Sequence, residues 1–183
     1  MKLHLGCGKR QLNGFLSIDL ADFEHIDIQC SIDDLSNFAD NTIEEIYVSH
    51  AFEYFDRTQG PRVLDEWFRV LSHGGRLYLS VPDLNSLISV YQQTKEIDSI
   101  LGPLFGRWII KGQLTPVYHR TVYDDKSLMN VLETSGFIDV KRFDPVKYLG
   151  NIDPEFDDHS LAFFPHFDRD GIQISLAYTG RKP

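Results

Sequence analysis

Residues 3–20 read LHLGCGKRQLNGFLSIDL. A short apolar run stops at Gly6-Cys7-Gly8, and a second run, residues 15–20, carries an aspartate, Asp19, near its end. This predicts two strands joined through a glycine turn. Glycines at such a turn let the backbone take positive φ and come close to a bound molecule. A carboxylate closing the second strand can accept hydrogen bonds from both hydroxyls of a ribose.

Outward from this stretch, strands are predicted over 26–30 and over 43–49 (IEEIYVS). TQGPRVLDEWFRVLSHGG then reads as a helix, with Pro61 in its first turn. Val63, Leu64, Trp67, Phe68, Val70 and Leu71 form its apolar face, and Gly74-Gly75 end it. A strand over 76–81 and a helix over 84–94 follow. A further helix, capped by Asp124 or Asp125, runs to Thr134 before Gly136, and strands over 137–143 and 171–180 complete the pattern. Strands alternating with helices imply a mostly parallel sheet covered on both faces. Ligands bind such sheets beyond the carboxyl ends of the strands. Gly6, Gly8, Asp19 and Asp34, the last placed to meet an adenine amino group, therefore collect at neighbouring strand ends as a nucleoside-shaped site.

The 183 residues fit one domain, residues 1–183, with 42% hydrophobic and 25% charged residues. A formal net charge of -9 argues against a protein that binds duplex phosphates. Cys7 and Cys30 are too few for a disulfide framework and match no zinc spacing, so no metal is expected and a reducing cytoplasm is the default. No run approaches the roughly 18 apolar residues of a membrane span, and no signal peptide is visible.

Nothing matches a P-loop. The dinucleotide fingerprint G-x-G-x-x-G breaks at Gln11, and Asp19 arrives about ten residues after Gly8, where that fingerprint places its acid roughly 20 residues on. Taken in order, LHLGCG, SIDL, DDL, IEEIYVSHAFEYF, EWFRVLSHGGRLYLSVPDL and HRTVYDDKSLMNVLETSGF resemble the class I S-adenosylmethionine-dependent methyltransferases. The closer likeness is to small bacterial type-11-like members often found with polysaccharide biosynthesis, over roughly residues 2 to 143. The resemblance implies an α/β Rossmann-like three-layer sandwich whose seven-stranded, mostly parallel sheet has an antiparallel last strand. It implies S-adenosylmethionine as cofactor, with Gly6, Cys7 and Gly8 in the cofactor loop and Asp19 with Leu20 at the ribose. Asp34 and Leu35 would neighbour the adenine, and Ser49 and His50 the methionine moiety.

Departures from the family pattern carry their own expectations. About nine residues separate Gly6 from Phe15, too few for the usual crossover helix. That helix should be shortened or absent, leaving an open site unless a partner or a late segment closes it. Tyr54 stands where close relatives usually carry His. Cys7 reads as a small apolar residue of the loop, Trp67 and Phe68 as core, and Asp157-Asp158 as a solvated acidic pair. His50 and Glu53, three apart, border the site.

Two segments look unlike scaffold. Residues 97–120, with Arg107, Lys111 and Arg120 among aromatics, read as an acceptor-side insertion. Residues 146–169, long and rich in Phe, His and Asp, read as a lid or a subunit contact. Of the seven histidines, His119 is expected as the base, with His50 and Tyr123 positioning, while His4 inside a strand and His73 in a far turn are expected not to reach. The expected function is methyl transfer to a small molecule such as a sugar or sugar nucleotide, with no nucleic acid or membrane partner and a homodimer left open. The alternatives are a non-catalytic S-adenosylmethionine-binding subunit and a nucleotide-dependent oxidoreductase or epimerase.

Overall fold

Leu3 and Leu5, Ile46 and Val48, and Leu77 and Leu79 are fully buried pairs spaced two apart. That spacing aims each pair at one face of a pleated sheet, and three such strands side by side make its centre. The computed structural model describes residues 1–111, 114–165 and 170–183. Its strands are β1 (Lys2–Leu5), β2 (Leu16–Asp19), β3 (Ile28–Gln29), β4 (Ile43–Ser49), β5 (Leu71–Pro82), β6 (Arg107–Trp108), β7 (Val117–Tyr118), β8 (Ile138–Arg142), β9 (Phe163–Phe164), β10 (Ile172–Gln173) and β11 (Ser175–Arg181). Helices α1 (Gly60–Val70), α2 (Leu84–Thr94), α3 (Asp98–Phe105), α4 (Asp125–Thr134) and α5 (Pro145–Gly150) lie between them.

Seven strands form one sheet in the order β3-β2-β1-β4-β5-β11-β8. The first five run parallel, and β11 is antiparallel to both β5 and β8. On one face, Trp67 of α1 and Leu128 and Leu132 of α4 pack against Ile46, Val48 and Leu77. The Trp67 indole N–H is satisfied by the Ile32 carbonyl at 2.7 Å, a buried polar atom with its partner. A capping box between Asp124 and Ser127 starts α4.

The opposite face has a second core of Leu12, Phe15, Tyr47 and Leu149, with Tyr78, Phe143, Tyr148 and Phe156 against it. Here the chain departs from an ordinary crossover. No helix joins β1 to β2, as expected. The late segment takes its place: α5 brings Tyr148 into a stack on Tyr78 (4.2 Å between ring centres) and onto Tyr47 (5.6 Å). Asn13 donates to Asp153 at 2.8 Å and Arg10 to the Asp157 carbonyl at 2.6 Å, which ties the short connection to this cover.

Three sequence expectations are corrected in detail. The helix expected over 58–75 stops at Val70, because Leu71 turns extended and pairs with Ile43. The terminal strand divides at Ile174, whose N–H leaves the sheet edge for the Ala162 carbonyl at 3.1 Å. Residues 146–165 form part of the body, with α5 and β9 inside them; positions 166–169 of that stretch, like 112–113 of the insertion, lie outside the described residues.

Candidate active site

At Gly6 the chain turns with φ +64°, and a Cβ there would stand 2.5 Å from that of Ala51. Gly8 (φ +58°) sends its N–H to Asp19 Oδ2 at 2.8 Å, and Ala21 sends its N–H to Oδ1 at 2.7 Å. Both carboxylate oxygens are thus oriented by main chain while keeping lone pairs for other donors. These bonds tie the glycine loop to the end of β2.

That unit edges a cavity of about 300 Å³, at the lower end of the size range for small-molecule sites. Gly6, Cys7, Gly8, Asp19, Leu20, Ser31 and Ile32 line it on the β2–β3 side, and Ser49, His50, Asp158 and His159 on the β4 side. Tyr54, Phe55, Gln59 and Arg120 continue the wall, and the β6–β7 hairpin adds Trp108, Ile110, Val117 and Tyr118. Two cations brace this hairpin: Lys9 lies 5.5 Å from the Trp108 ring, and Lys111 reaches 5.3 Å from Phe23.

Of the residues singled out from sequence, Gly6, Cys7, Gly8, Asp19, Leu20, Ser49 and His50 share this cavity. Asp34 and Leu35 are not among its lining. Leu35 is fully buried in the main core, Asp34 is exposed and accepts from Ser36, and Ser31 with Ile32 occupy the wall nearest them. Burial, and then the neighbouring Asp19, push the Cys7 thiol up to about 12, which leaves it un-ionised as a small apolar residue requires. His4 does border the cavity, contrary to expectation. Burial pushes it down to about 4, so it is a neutral ring.

Neither His119 nor Tyr123 lines the cavity. Tyr123 stacks on Phe52, 5.4 Å between ring centres, inside the main core. The His119 ring is wedged beside Gly106, where a Cβ would fall 2.1 Å from its Nε2. Its Nδ1–H points at the Pro103 carbonyl (3.1 Å), and its Nε2 lies 3.5 Å from Glu53 Oε1. His50 reaches the same carboxyl from the other side, with Nδ1 at 3.6 Å. Glu53 is fully buried, neither of its oxygens has a hydrogen-bond partner among the described residues, and burial pushes its carboxyl up to about 8. At neutral pH it holds its proton between two histidines that burial keeps unprotonated.

Two functional-looking residues escaped the sequence reading. Asp158, expected in solvent beside Asp157, is 2% exposed and accepts from Tyr47 Oη (3.0 Å), Ser49 Oγ (2.5 Å) and the Ser160 N–H (2.7 Å). His159 follows it directly, with its ring 5.6 Å from that of His50. Neither belongs to a motif; both reach the site through the late segment.

The order of the sheet separates the alternatives. A dinucleotide-binding doubly wound sheet runs 3-2-1-4-5-6, whereas here an antiparallel strand, β11, is inserted between β5 and β8. Residues 10–79, from the glycine-loop connection to the middle of β5, match the sequence model of the methyltransferase domain family. Over those residues the chain resembles that family, and its sheet order is that of the methyltransferase fold.

Solved structures share the fold of this chain. A SAM-dependent methyltransferase from Archaeoglobus fulgidus superposes with a TM-score of 0.57 at 15% identity, over 99% of this chain and 85% of its own. The 1,6-didemethyltoxoflavin-N1-methyltransferase of Burkholderia thailandensis, solved with S-adenosylhomocysteine, gives 0.54 at 12% identity, over 99% and 70%. A methyltransferase from Haloferax volcanii in complex with its Trm112 activator gives 0.55 at 16%, over 100% and 81%. At these identities the likeness is one of fold. No curated protein matches the chain in sequence. Among the described residues no three His, Cys, Asp or Glu side chains are grouped to hold a metal, and no helix is long and apolar enough to cross a membrane.

Proposed function

We propose that this methyltransferase methylates a small, ring-bearing, negatively charged acceptor, such as a sugar nucleotide, seated under the β6–β7 hairpin. The observation that carries the reading is the cavity itself. Its β2 side offers a carboxylate held by two main-chain N–H groups beside an uncluttered glycine loop, and its hairpin side offers Trp108, Tyr118, Tyr54 and the Arg120 cation. The first half suits the ribose and adenosine of the cofactor. The second suits a flat or ring-shaped molecule with an anionic group.

The residues present fit the cofactor: Gly6 has no room for a side chain, Gly8 opens onto free space, and Asp19 keeps acceptor capacity. Bound there, S-adenosylmethionine supplies an already electrophilic methyl group. The protein's share is alignment of the acceptor and exclusion of water by the hairpin. Asp19, Leu20, Ser31 and Ile32 hold one end, while Ser49 and His50 face the other.

S-adenosylhomocysteine should bind the wild type and raise its melting temperature by mass action on the native state. Asp19→Ala should weaken that binding by roughly 1.5–3 kcal/mol, the worth of hydrogen bonds to a charged acceptor. Calorimetry checks both. A wild type without heat or thermal shift would overturn the cofactor half of the reading, and a mutant of unchanged affinity would remove Asp19 from it.

A further inference from the structure

Two histidines of the cavity wall, His4 and His159, carry ring nitrogens without a hydrogen-bond partner among the described residues, and of these His4 is locked inside β1 at 1% exposure. His50 gives its Nε2–H to Ser175 Oγ at 2.7 Å, because the Ser175 hydroxyl is itself directed at the His159 carbonyl (2.9 Å). Its Nδ1 is turned to Glu53. His119 is held between Pro103 and Glu53, behind the wall. His159 differs from both. It lines the cavity, and among the described residues neither of its ring nitrogens has a hydrogen-bond partner.

Its placement is built. The Asp158 side chain caps the short turn His159–Leu161, and the bond from Ser175 pins its main chain. Sheet order separates the two ends of the cavity. The ends of β3 and β2, with Ser31 and Asp19, lie on one side of β1, and the end of β4, with Ser49 and His50, lies on the other. If adenosine occupies the first side, the transferring end of the cofactor falls on the second, where His159 stands. Among the described residues, the charged and titratable groups near this ring are Arg10 from the β1–β2 connection, Asp157 and Asp158 from its own segment, His50 from the end of β4, and His119 behind the wall. Burial, and then Arg10, hold its ring below the ordinary imidazole value, so that it is unprotonated at neutral pH.

We propose that His159 is the catalytic base that takes the acceptor's proton; this rests on the methyl-transfer reading given above. The acceptor's O–H or N–H bond breaks with the proton passing to a free ring nitrogen of His159. The electron pair so released forms the bond to the methyl carbon, and the methyl–sulfur bond breaks with its pair left on sulfur. The imidazolium then gives its proton to water. His50, Glu53 and Ser175 act as positioning residues behind it.

The test needs no acceptor. S-adenosylmethionine and S-adenosylhomocysteine differ at sulfur by one methyl group and one positive charge, so a histidine facing the transferring end must sense which is bound. Histidine ring resonances would be followed through pH titrations of the wild type with each ligand at saturation, with the His159 signal identified by its loss in His159→Gln. We expect the His159 midpoint to lie about one pH unit or more lower with S-adenosylmethionine than with S-adenosylhomocysteine. Equal His159 midpoints with both ligands bound would overturn the assignment and leave the cofactor reading intact. Absence of binding by calorimetry would overturn the cofactor reading and this proposal with it.

Discussion

Glu53→Gln should flatten the pH dependence of stability between pH 5 and pH 8. The folded protein holds the Glu53 proton up to about pH 8 because the carboxyl is buried with no hydrogen-bond partner among the described residues, whereas the unfolded chain releases it near the ordinary glutamate value. Between those two values the native state binds the extra proton, so stability from this group is full at low pH and falls as pH rises toward 8. The accumulated loss at pH 7 is on the order of 3 kcal/mol. Glutamine keeps the shape and never ionises. Its own unpaired amide adds a constant cost, so the slope and not the offset is diagnostic. Urea denaturation of wild type and variant at pH 5, 6.5 and 8 should show two lines converging with rising pH, or crossing. Parallel lines would mean that Glu53 does not hold its proton.

Asp158→Ala should cost about 3 kcal/mol, because it leaves the Tyr47 hydroxyl, the Ser49 hydroxyl and the Ser160 N–H without their shared acceptor in a dry setting. Burial alone would push this carboxyl up. The bonds from Ser49 and Ser160 outweigh it and hold the group below the usual carboxylate range. Its contribution is therefore present above the unfolded-state value and is lost as pH falls through the folded one. Hydrogen exchange adds a local readout. Amides of α5 and of the turn at His159–Leu161 should exchange faster in Asp158→Ala, while those of β8, on the far edge of the sheet, change little. A loss under about 1 kcal/mol with unchanged protection would show that the late segment holds its place without this contact.

What could be read from the sequence follows from how local its cause is. Gly6, Gly8 and Asp19 announce themselves because a strand, a glycine turn and a terminal acid lie within one short stretch, and the structure puts them at one cavity edge. The strand–helix alternation, the absent first crossover helix and the antiparallel β11 follow from the same short-range patterns and from the family likeness. Asp158 and His159 were out of reach for the opposite reason. An Asp-Asp-His run looks solvated unless one knows that Tyr47 and Ser49 wait for it across the fold, 111 and 109 residues away. His119 misled in the same manner. Its place in the insertion suggested the acceptor side, and only packing against Gly106 and Glu53 reveals that the ring is withdrawn.

The substitution of α5 and its neighbours for a crossover helix also bears on how the chain reaches its native state. An ordinary βαβ unit covers its own sheet face as soon as its roughly 30 residues are made. Here the face bearing Tyr47 and Tyr78, and the loop that ends in Asp19, are fastened by contacts spanning 140 residues (Asn13–Asp153) and 147 residues (Arg10–Asp157). Such long loops must close before their contacts repay them, which places the molecule toward the high-contact-order, slow end of folding rates. During synthesis the aromatic face stays bare until α5 has left the ribosome. A nascent chain stalled before α5 would carry a half-covered sheet whose bare aromatic face favours aggregation.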